Sequence, residues 1–333
     1  MAREMTDYKD EMVGSHPSMQ SLKKLIERVS KSPTRTVLIY GETGTGKGLV
    51  ARMIHRASAR AAKEFVDINC AAIPTSLLES ELFVHERGAF TGAVERKLGL
   101  IEAANHGSVF LDEIREMDPM LQVKLLSLLD THQFRRVGAV KANSVDVRFI
   151  AATNKILLSE VASGHFREDL YYRLQVVSLN IPALRDRGED VLALARFFIK
   201  KYNTVYKRNI RGLTSETEQI FLKYPWPGNV RELENLLERI FILEDDDEVL
   251  PKHLPDRILR TVRAGLTTVP SPLQEVETLS DDGLQEATAE FQRRMIARAL
   301  TANEGNIQNT ADALKISRHS LRHQMIKLGM QKA

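Results

Sequence analysis

One segment restricts this chain more than any other: Gly41-Glu42-Thr43-Gly44-Thr45-Gly46-Lys47, which follows the apolar run Thr36-Val-Leu-Ile-Tyr40 and precedes a helical pattern over residues 47–59. The glycines let successive backbone amides turn toward one concavity, while a helix N-terminus and Lys47 supply positive charge, the arrangement that cradles a triphosphate. A plain glycine turn between strand and helix is the alternative. Gly48 stands where a phosphate loop usually carries the Ser or Thr that ligates magnesium, so a metal has to be held elsewhere.

A strand feeding such a loop belongs in an α/β sheet, and the flanking sequence agrees. Phe65-Val-Asp-Ile-Asn69, Ser108-Val-Phe-Leu-Asp112 and Val145-Asp-Val-Arg-Phe-Ile-Ala-Ala152 read as short strands. Residues 76–83 and 119–131 read as helices, the latter with Leu121, Leu125, Leu128 and Leu129 on one face. Alternating strands and helices predict a parallel sheet covered on both sides. Residues 189–260 carry helical signals and no strand signal, which predicts a small helical subdomain. Residues 265–283 have linker composition, and helical segments follow near 284–301, 306–314 and 318–328. The expected organisation is an α/β nucleotide-binding subdomain over 1–187, a helical lid over 188–260, a linker over 261–283 and a small all-α domain over 284–333.

Asp112 and Glu113 end a buried strand downstream of the loop. In that context Asp112 engages magnesium, and Glu113 orients and polarises an attacking water for phosphoanhydride hydrolysis. ATP and Mg2+ are the implied cofactors. Other chemistries find little support: the histidines lack metal spacing, no Gly-x-Ser-x-Gly elbow is present, and Cys70 has no cysteine to pair with. The lone thiol, read as a small buried apolar residue, suggests a reducing, cytoplasmic compartment. No apolar run is long enough to span a bilayer, since residues 191–199 are interrupted by Arg196, and the charged N-terminus is unlike a signal peptide. The net charge of +3 conceals a partition: residues 291–333 sum to +6, residues 241–290 to −8, and the first 240 residues to +5. A basic tail behind an acidic linker predicts a polyanionic partner, with a solvated basic helix face as the alternative.

Residues 88–93 read Gly88-Ala89-Phe90-Thr91-Gly92-Ala93, two glycines around one aromatic, a pattern suited to a loop that grips another protein. With the phosphate loop and Asp112-Glu113, this hexapeptide closely resembles the signature of bacterial enhancer-binding proteins, the AAA+ activators of sigma-54 RNA polymerase. The resemblance covers roughly residues 12–255 and includes Asn69-Cys-Ala-Ala-Ile-Pro, Glu81-Leu-Phe, Ala152-Thr-Asn154, Phe166-Arg-Glu-Asp-Leu170 and Trp226-Pro-Gly-Asn-Val-Arg-Glu-Leu233. It implies that Asn69 restrains Glu113 until the nucleotide is read, and that Thr153 and Asn154 form a first sensor of the γ-phosphate or the water. It implies further that Arg167 and Arg173 are arginine fingers reaching a neighbouring subunit, with salt bridges to Glu168 or Asp169 as the alternative. Arg231 resembles a second sensor, placed in a first helical turn by an expected Asn229–Glu232 capping box; Trp226 is expected to be core packing. Val84 departs from the family's Glu-Leu-Phe-Gly, and a β-branched residue would be strained there if that glycine has positive φ. Gly48 departs less, because the family also lacks the hydroxyl.

The C-terminal stretch from Asn303 to Lys327 fits helix–turn–helix spacing, with Ala311, Leu314, Ile316 and Leu321 as its core. It resembles the Fis-type domain that ends most enhancer-binding proteins, with Lys315 where a turn glycine is usual. Arg318, His319, Ser320, Arg322 and His323 crowd the start of the second helix, where base edges of double-stranded DNA are read. The helix near 284–301, with Leu284, Phe291, Met295 and Leu300, is expected to dimerise and support the reader; a plain oligomerisation module is the alternative. The resemblance implies an ATP-driven activator that assembles from dimers to a hexamer and opens the closed complex of the sigma-54 RNA polymerase holoenzyme. Alternatives are a DNA-binding regulator with a vestigial or non-sigma-54 ATPase domain, for which Val84 is the best support, and a remodelling ATPase for unfolding or replication. The segment ahead of the phosphate loop is too short for a receiver or other regulatory domain. Control is thus expected from expression or a separate regulatory protein, unless the chain is a fragment of a longer regulator.

Overall fold

Unbroken runs of apolar side chains along the central strands require two buried faces, and both are present. The computed structural model describes residues 12–83, 99–135 and 142–266, followed by 293, 295–297, 299–300, 303, 306–313, 318–328 and 330. The chain divides into two compact units, Met1–Gly265 and Leu266–Ala333. In the first, strands β1 (Thr36–Tyr40), β2 (Phe65–Asn69), β3 (Ser108–Asp112), β6 (Arg148–Thr153) and β7 (Ser178–Asn180) form one sheet of order β2-β3-β6-β1-β7. All its pairings are parallel. Strands β4 (Gln133–Arg135) and β5 (Ala142–Ser144) make a separate antiparallel pair.

Leu38, Val109, Leu111, Phe149 and Ala151 point to one face, and Val37, Ile39, Phe110, Ile150 and Ala152 to the other, as a period of two demands. Helices α1 (Pro17–Lys31) and α2 (Lys47–Arg56) cover the second face through Met19, Leu22, Ile26, Val50 and Ile54. The first face is covered by α3 (Thr75–Phe83), α4 (Leu100–Ala103), α5 (Pro119–Thr131), α6 (Leu157–Ala162) and α7 (Glu168–Leu174). The predicted leucine face of α5 is buried, and the helix starts where Asp118 accepts a hydrogen bond from Met120 N at 2.8 Å, with Pro119 in the first turn. Buried Arg148 donates to the carbonyls of Val29 (2.7 Å) and Ser30 (3.2 Å), placing a cation on the C-terminal end of α1.

A helical layer follows, from α8 (Asp190–Tyr206), α9 (Ser215–Lys223), α10 (Asn229–Leu243) and α11 (Asp256–Leu266). Its core gathers Phe198, Tyr202, Phe221, Leu233, Leu237 and Ile240 around Trp226, which is 1% exposed and donates its indole N–H to Phe221 O at 2.8 Å. In the second unit α12 (Ile307–Ala313) is capped by Asn306, whose Oδ1 accepts from Gln308 N and Asn309 N, and α13 (Arg318–Lys327) follows. Ala311, Leu321, Met325, Leu328 and Ile296 form its core. Leu314, Lys315, Ile316, Leu284 and Phe291 lie outside the described residues.

The expected strand over 145–152 begins at Arg148 and reaches Thr153, because residues 145–147 form the approach to the sheet rather than part of it. Strand β7, only three residues long with an exposed–buried–exposed pattern, and helix α1 lie beyond the elements read from the sequence.

Candidate nucleotide site

The carboxyl ends of β1, β2, β3 and β6 converge, where an open parallel sheet binds its ligands. The loop after β1 bends sharply: Gly44 has φ +82 and Gly46, the N-cap of α2, φ +100. Thr45 Oγ1 donates back to Glu42 O at 2.7 Å and closes the turn. Lys47 is 6% exposed and lies across the concavity, its Nζ donating to Gly41 O at 3.1 Å and standing 3.5 Å from Glu113 Oε1. A triphosphate fits what these residues present, namely amides at a helix start and a buried ammonium group. A Cβ built on Gly48 would lie 3.5 Å from the Arg52 guanidinium, and Arg52 is 3.7 Å from Asp67, so the flank where a hydroxyl would sit faces a cation.

Asp112 ends β3, and its Oδ1 accepts from the Glu113 amide at 3.0 Å. Glu113 adopts φ +50, a left-handed conformation that costs a non-glycine residue about 1–2 kcal/mol and clusters at functional sites. Its Oε2 is buried with no hydrogen-bond partner among the described residues. A free carboxylate oxygen beside a lysine, at the strand end facing the loop, is what a metal ion or a polarised water would satisfy. Asn69 stands opposite Asp112 in the parallel register, but its Oδ1 accepts from Ala71 N at 2.9 Å. The side chain closes a local turn, and the contact made to Glu113 comes from Lys47 instead.

Thr153, fully buried, ends β6; its carbonyl accepts from Gly41 N at 3.2 Å. Asn154 reaches the loop, donating to Thr43 Oγ1 at 3.3 Å, and its Oδ1 is buried without a partner among the described residues. Cys70 follows Asn69, and burial, with the neighbouring Asp112 charge, pushes its thiol up to about 12, so it remains a thiol.

The lid meets the loop directly. Arg231 N donates to Gly44 O at 3.2 Å, which brings the first turn of α10 onto the loop and leaves the Arg231 side chain exposed. The expected Asn229–Glu232 capping box is not formed, because Asn229 lies inside the helix and Gly228 is its N-cap. Buried Asn229 instead spends its amide across the junction, donating to Thr43 O and Glu42 and accepting from Leu184 N at 2.8 Å. Glu232 does take the Gly228 amide at 2.8 Å, which preserves one half of the device. Arg185 donates to both oxygens of Glu42, and Arg187 Nη2 approaches Thr45 O at 3.5 Å. These contacts escape a motif reading because only the hinge run Leu184-Arg-Asp-Arg187, rich in cations beside a phosphate loop, hints at them. Asp190 is similar: it accepts from the amides of Ser15 (2.7 Å) and His16 (3.1 Å) and ties the N-terminal segment to α8.

Arg167 and Arg173 do not reach this loop. Arg167 pairs with Asp169 at 2.6 Å, and Arg173 pairs with Asp130 at 2.9 Å and donates to Leu129 O. Gly88, Ala89, Phe90, Thr91, Gly92 and Ala93, and also Val84, lie outside the described residues. On α13, Arg318, Ser320 and Arg322 are exposed and Leu321 is buried; the side chains of His319 and His323 lie outside the described set.

A phosphate loop, a carboxylate pair on a neighbouring strand, a polar strand end contacting that loop and a helical lid seated on it define an AAA+ P-loop ATPase. Family models match along the chain: the sigma-54 interaction domain over residues 12–180, the AAA+ ATPase lid domain over 185–268, and the bacterial regulatory protein, Fis family, over 287–328. The transcriptional regulatory protein ZraR of Escherichia coli (strain K12) is 43% identical over 310 residues, which cover 93% of this chain and 67% of that protein. The regulatory protein AtoC of the same organism is 42% identical over 320 residues, covering 95% and 67%. The crystal structure of NtrX from Brucella abortus in complex with ATP superposes with a TM-score of 0.70 at 36% identity, covering 98% of this chain and 72% of that one. The chain belongs to the sigma-54-dependent transcription activators of bacteria. It is an ATPase that binds DNA through its Fis-type domain and drives the sigma-54 polymerase from closed to open complex.

Proposed function

We propose a residue-level assignment of this activity. The amides of residues 41–48 and the Lys47 ammonium hold the ATP phosphates. Magnesium, held through Asp112, would supply charge neutralisation to the phosphates. Glu113 orients and deprotonates the attacking water, and Asn69, which has to leave its turn with Ala71 to do so, restrains it before the nucleotide is read. Thr153 and Asn154 read the phosphate end from the strand side, and Arg231 reads it from the lid. The observation that carries this reading is the buried, unpartnered Oε2 of Glu113, whose Oε1 stands 3.5 Å from Lys47.

Arg167 and Arg173 complete the site of a neighbouring subunit, which makes hydrolysis depend on assembly from dimers into a hexameric ring. Within the chain Arg167 pairs with Asp169 and Arg173 with Asp130, so each has to leave that partner to act on another copy. The loop bearing Phe90 and Thr91 engages sigma-54, and Arg318, His319, Ser320, Arg322 and His323 read base edges of the upstream DNA. Among the described residues no helix is long and apolar enough to cross a membrane; the Fis-type DNA-binding domain supports work in the cytoplasm.

The test is Glu113→Gln, which keeps the shape and removes the base. It should retain ATP binding and lose at least about a hundred-fold in turnover, the usual contribution of a positioned base. Turnover within a few-fold of the parent chain would overturn the assignment of Glu113.

A further inference from the structure

The phosphate loop is gripped from outside along residues 42–45. Glu42 accepts from Arg185 Nη1 at 2.9 Å, Arg185 Nη2 at 2.5 Å and Asn229 Nδ2 at 3.1 Å. Thr43 O accepts from Asn229 Nδ2 at 3.1 Å, Gly44 O from Arg231 N at 3.2 Å, and Thr45 O from Arg187 Nη2 at 3.5 Å. Every donor comes from the hinge at 184–187 or from the first turn of α10. The Glu42 carboxylate and the carbonyls of Thr43, Gly44 and Thr45 are thus engaged by the hinge and the lid.

Glu42 is the odd member of this set. A carboxylate in a loop that holds a polyanion repels the ligand across a few ångströms unless a cation sits on it. Arg185 is that cation, in the two-pronged geometry that fixes direction as well as charge. The pair is 45% and 41% exposed, so as a surface ion pair it adds little to stability. Its consequence is positional.

We propose that Glu42 is a positioning residue that fastens the lid to the phosphate loop through Arg185 and Asn229, making lid closure and loop shape a single event. The proposal rests on the reading that this loop holds ATP and that Arg231 acts from the lid. In this arrangement Arg185 has two separable duties. It neutralises Glu42, which governs how well the polyanion binds. It also holds the lid, which governs how well Arg231 is aimed.

Steady-state ATP turnover by the full chain separates them. Arg185→Ala should raise KM about ten-fold and lower kcat several-fold, since it exposes the Glu42 charge and loosens the lid together. Adding Glu42→Gln to Arg185→Ala should return KM to within about three-fold of the parent while kcat stays low, because the charge is gone but the fastening is not restored. Arg185→Lys, which keeps the charge and loses the fork, should show near-parental KM with reduced kcat, and it serves if the alanine variant folds poorly. A KM in the double variant as high as in Arg185→Ala, or parental kinetics for Arg185→Ala, would overturn the proposal. Arg231→Ala runs beside them: parental turnover there would sink the role of Arg231, whereas the KM rescue by Glu42→Gln would still decide the clamp.

Discussion

Gly44 and Gly164 share a left-handed backbone, φ +82 and φ +75, and differ in what surrounds them. A Cβ on Gly44 would stand 2.2 Å from the Gly228 carbonyl oxygen and 3.1 Å from Arg231 Cβ, whereas nothing lies within 4 Å of one on Gly164. Gly164→Ala should therefore cost only its backbone, about 1 kcal/mol of stability, and leave nucleotide affinity unchanged. Gly44→Ala must push the lid off the loop and should weaken ATP binding about ten-fold or more, an effect titration with a fluorescent nucleotide would read. Equal affinities for the two variants would mean that the loop and the lid are not held together as described. Glu113, at φ +50, keeps comparable backbone strain at the strand end where its Oε1 lies 3.5 Å from Lys47.

At the scale of elements, most of the α/β layer was legible because its signals are local. The buried strands β1, β3 and β6 are runs of large apolar and β-branched residues, and α5 shows its leucine face. Strand β7 was not legible, since Ser178-Leu-Asn180 buries one side chain and owes its existence to pairing with β1. The Asn229–Glu232 pattern misled for a related reason. Asn229 has the composition of a cap, but it takes φ +52 within the helix and bonds across the subdomain junction, which no local rule contains. The phosphate loop, Asp112 and Glu113 were legible from chemistry and spacing; Arg185 was not, because its partner Glu42 lies 143 residues away. Asn229→Ala should thus act as a junction defect, stranding Leu184 N and Thr43 O and adding a left-handed alanine, for a loss of about 2–4 kcal/mol. Urea unfolding would check it, with Asn229→Gly recovering about 1 kcal/mol of that loss by relieving the backbone alone; a loss below about 0.5 kcal/mol for the alanine variant would contradict the bridging role.

For the whole molecule, the charge partition now has physical owners. The acidic share begins at the end of the lid, where Asp246 pairs with Lys252 and with buried His253, and runs on through the linker sequence. The basic share surrounds α13, whose exposed Arg318 and Arg322 flank the buried Leu321. On the proposed assignment, hydrolysis at the loop-and-lid site is spent on opening a promoter, through the loop that carries Phe90 and Thr91. A single-round transcription assay tests it most directly, with the purified chain, sigma-54 holoenzyme, a template bearing its upstream DNA site, and either ATP or a non-hydrolysable analogue. Open complexes should form with ATP, not with the analogue, and not with ATP for Thr91→Ala, although that variant keeps its ATPase activity. Open complexes formed with the analogue, or by Thr91→Ala at the parental level, would contradict it.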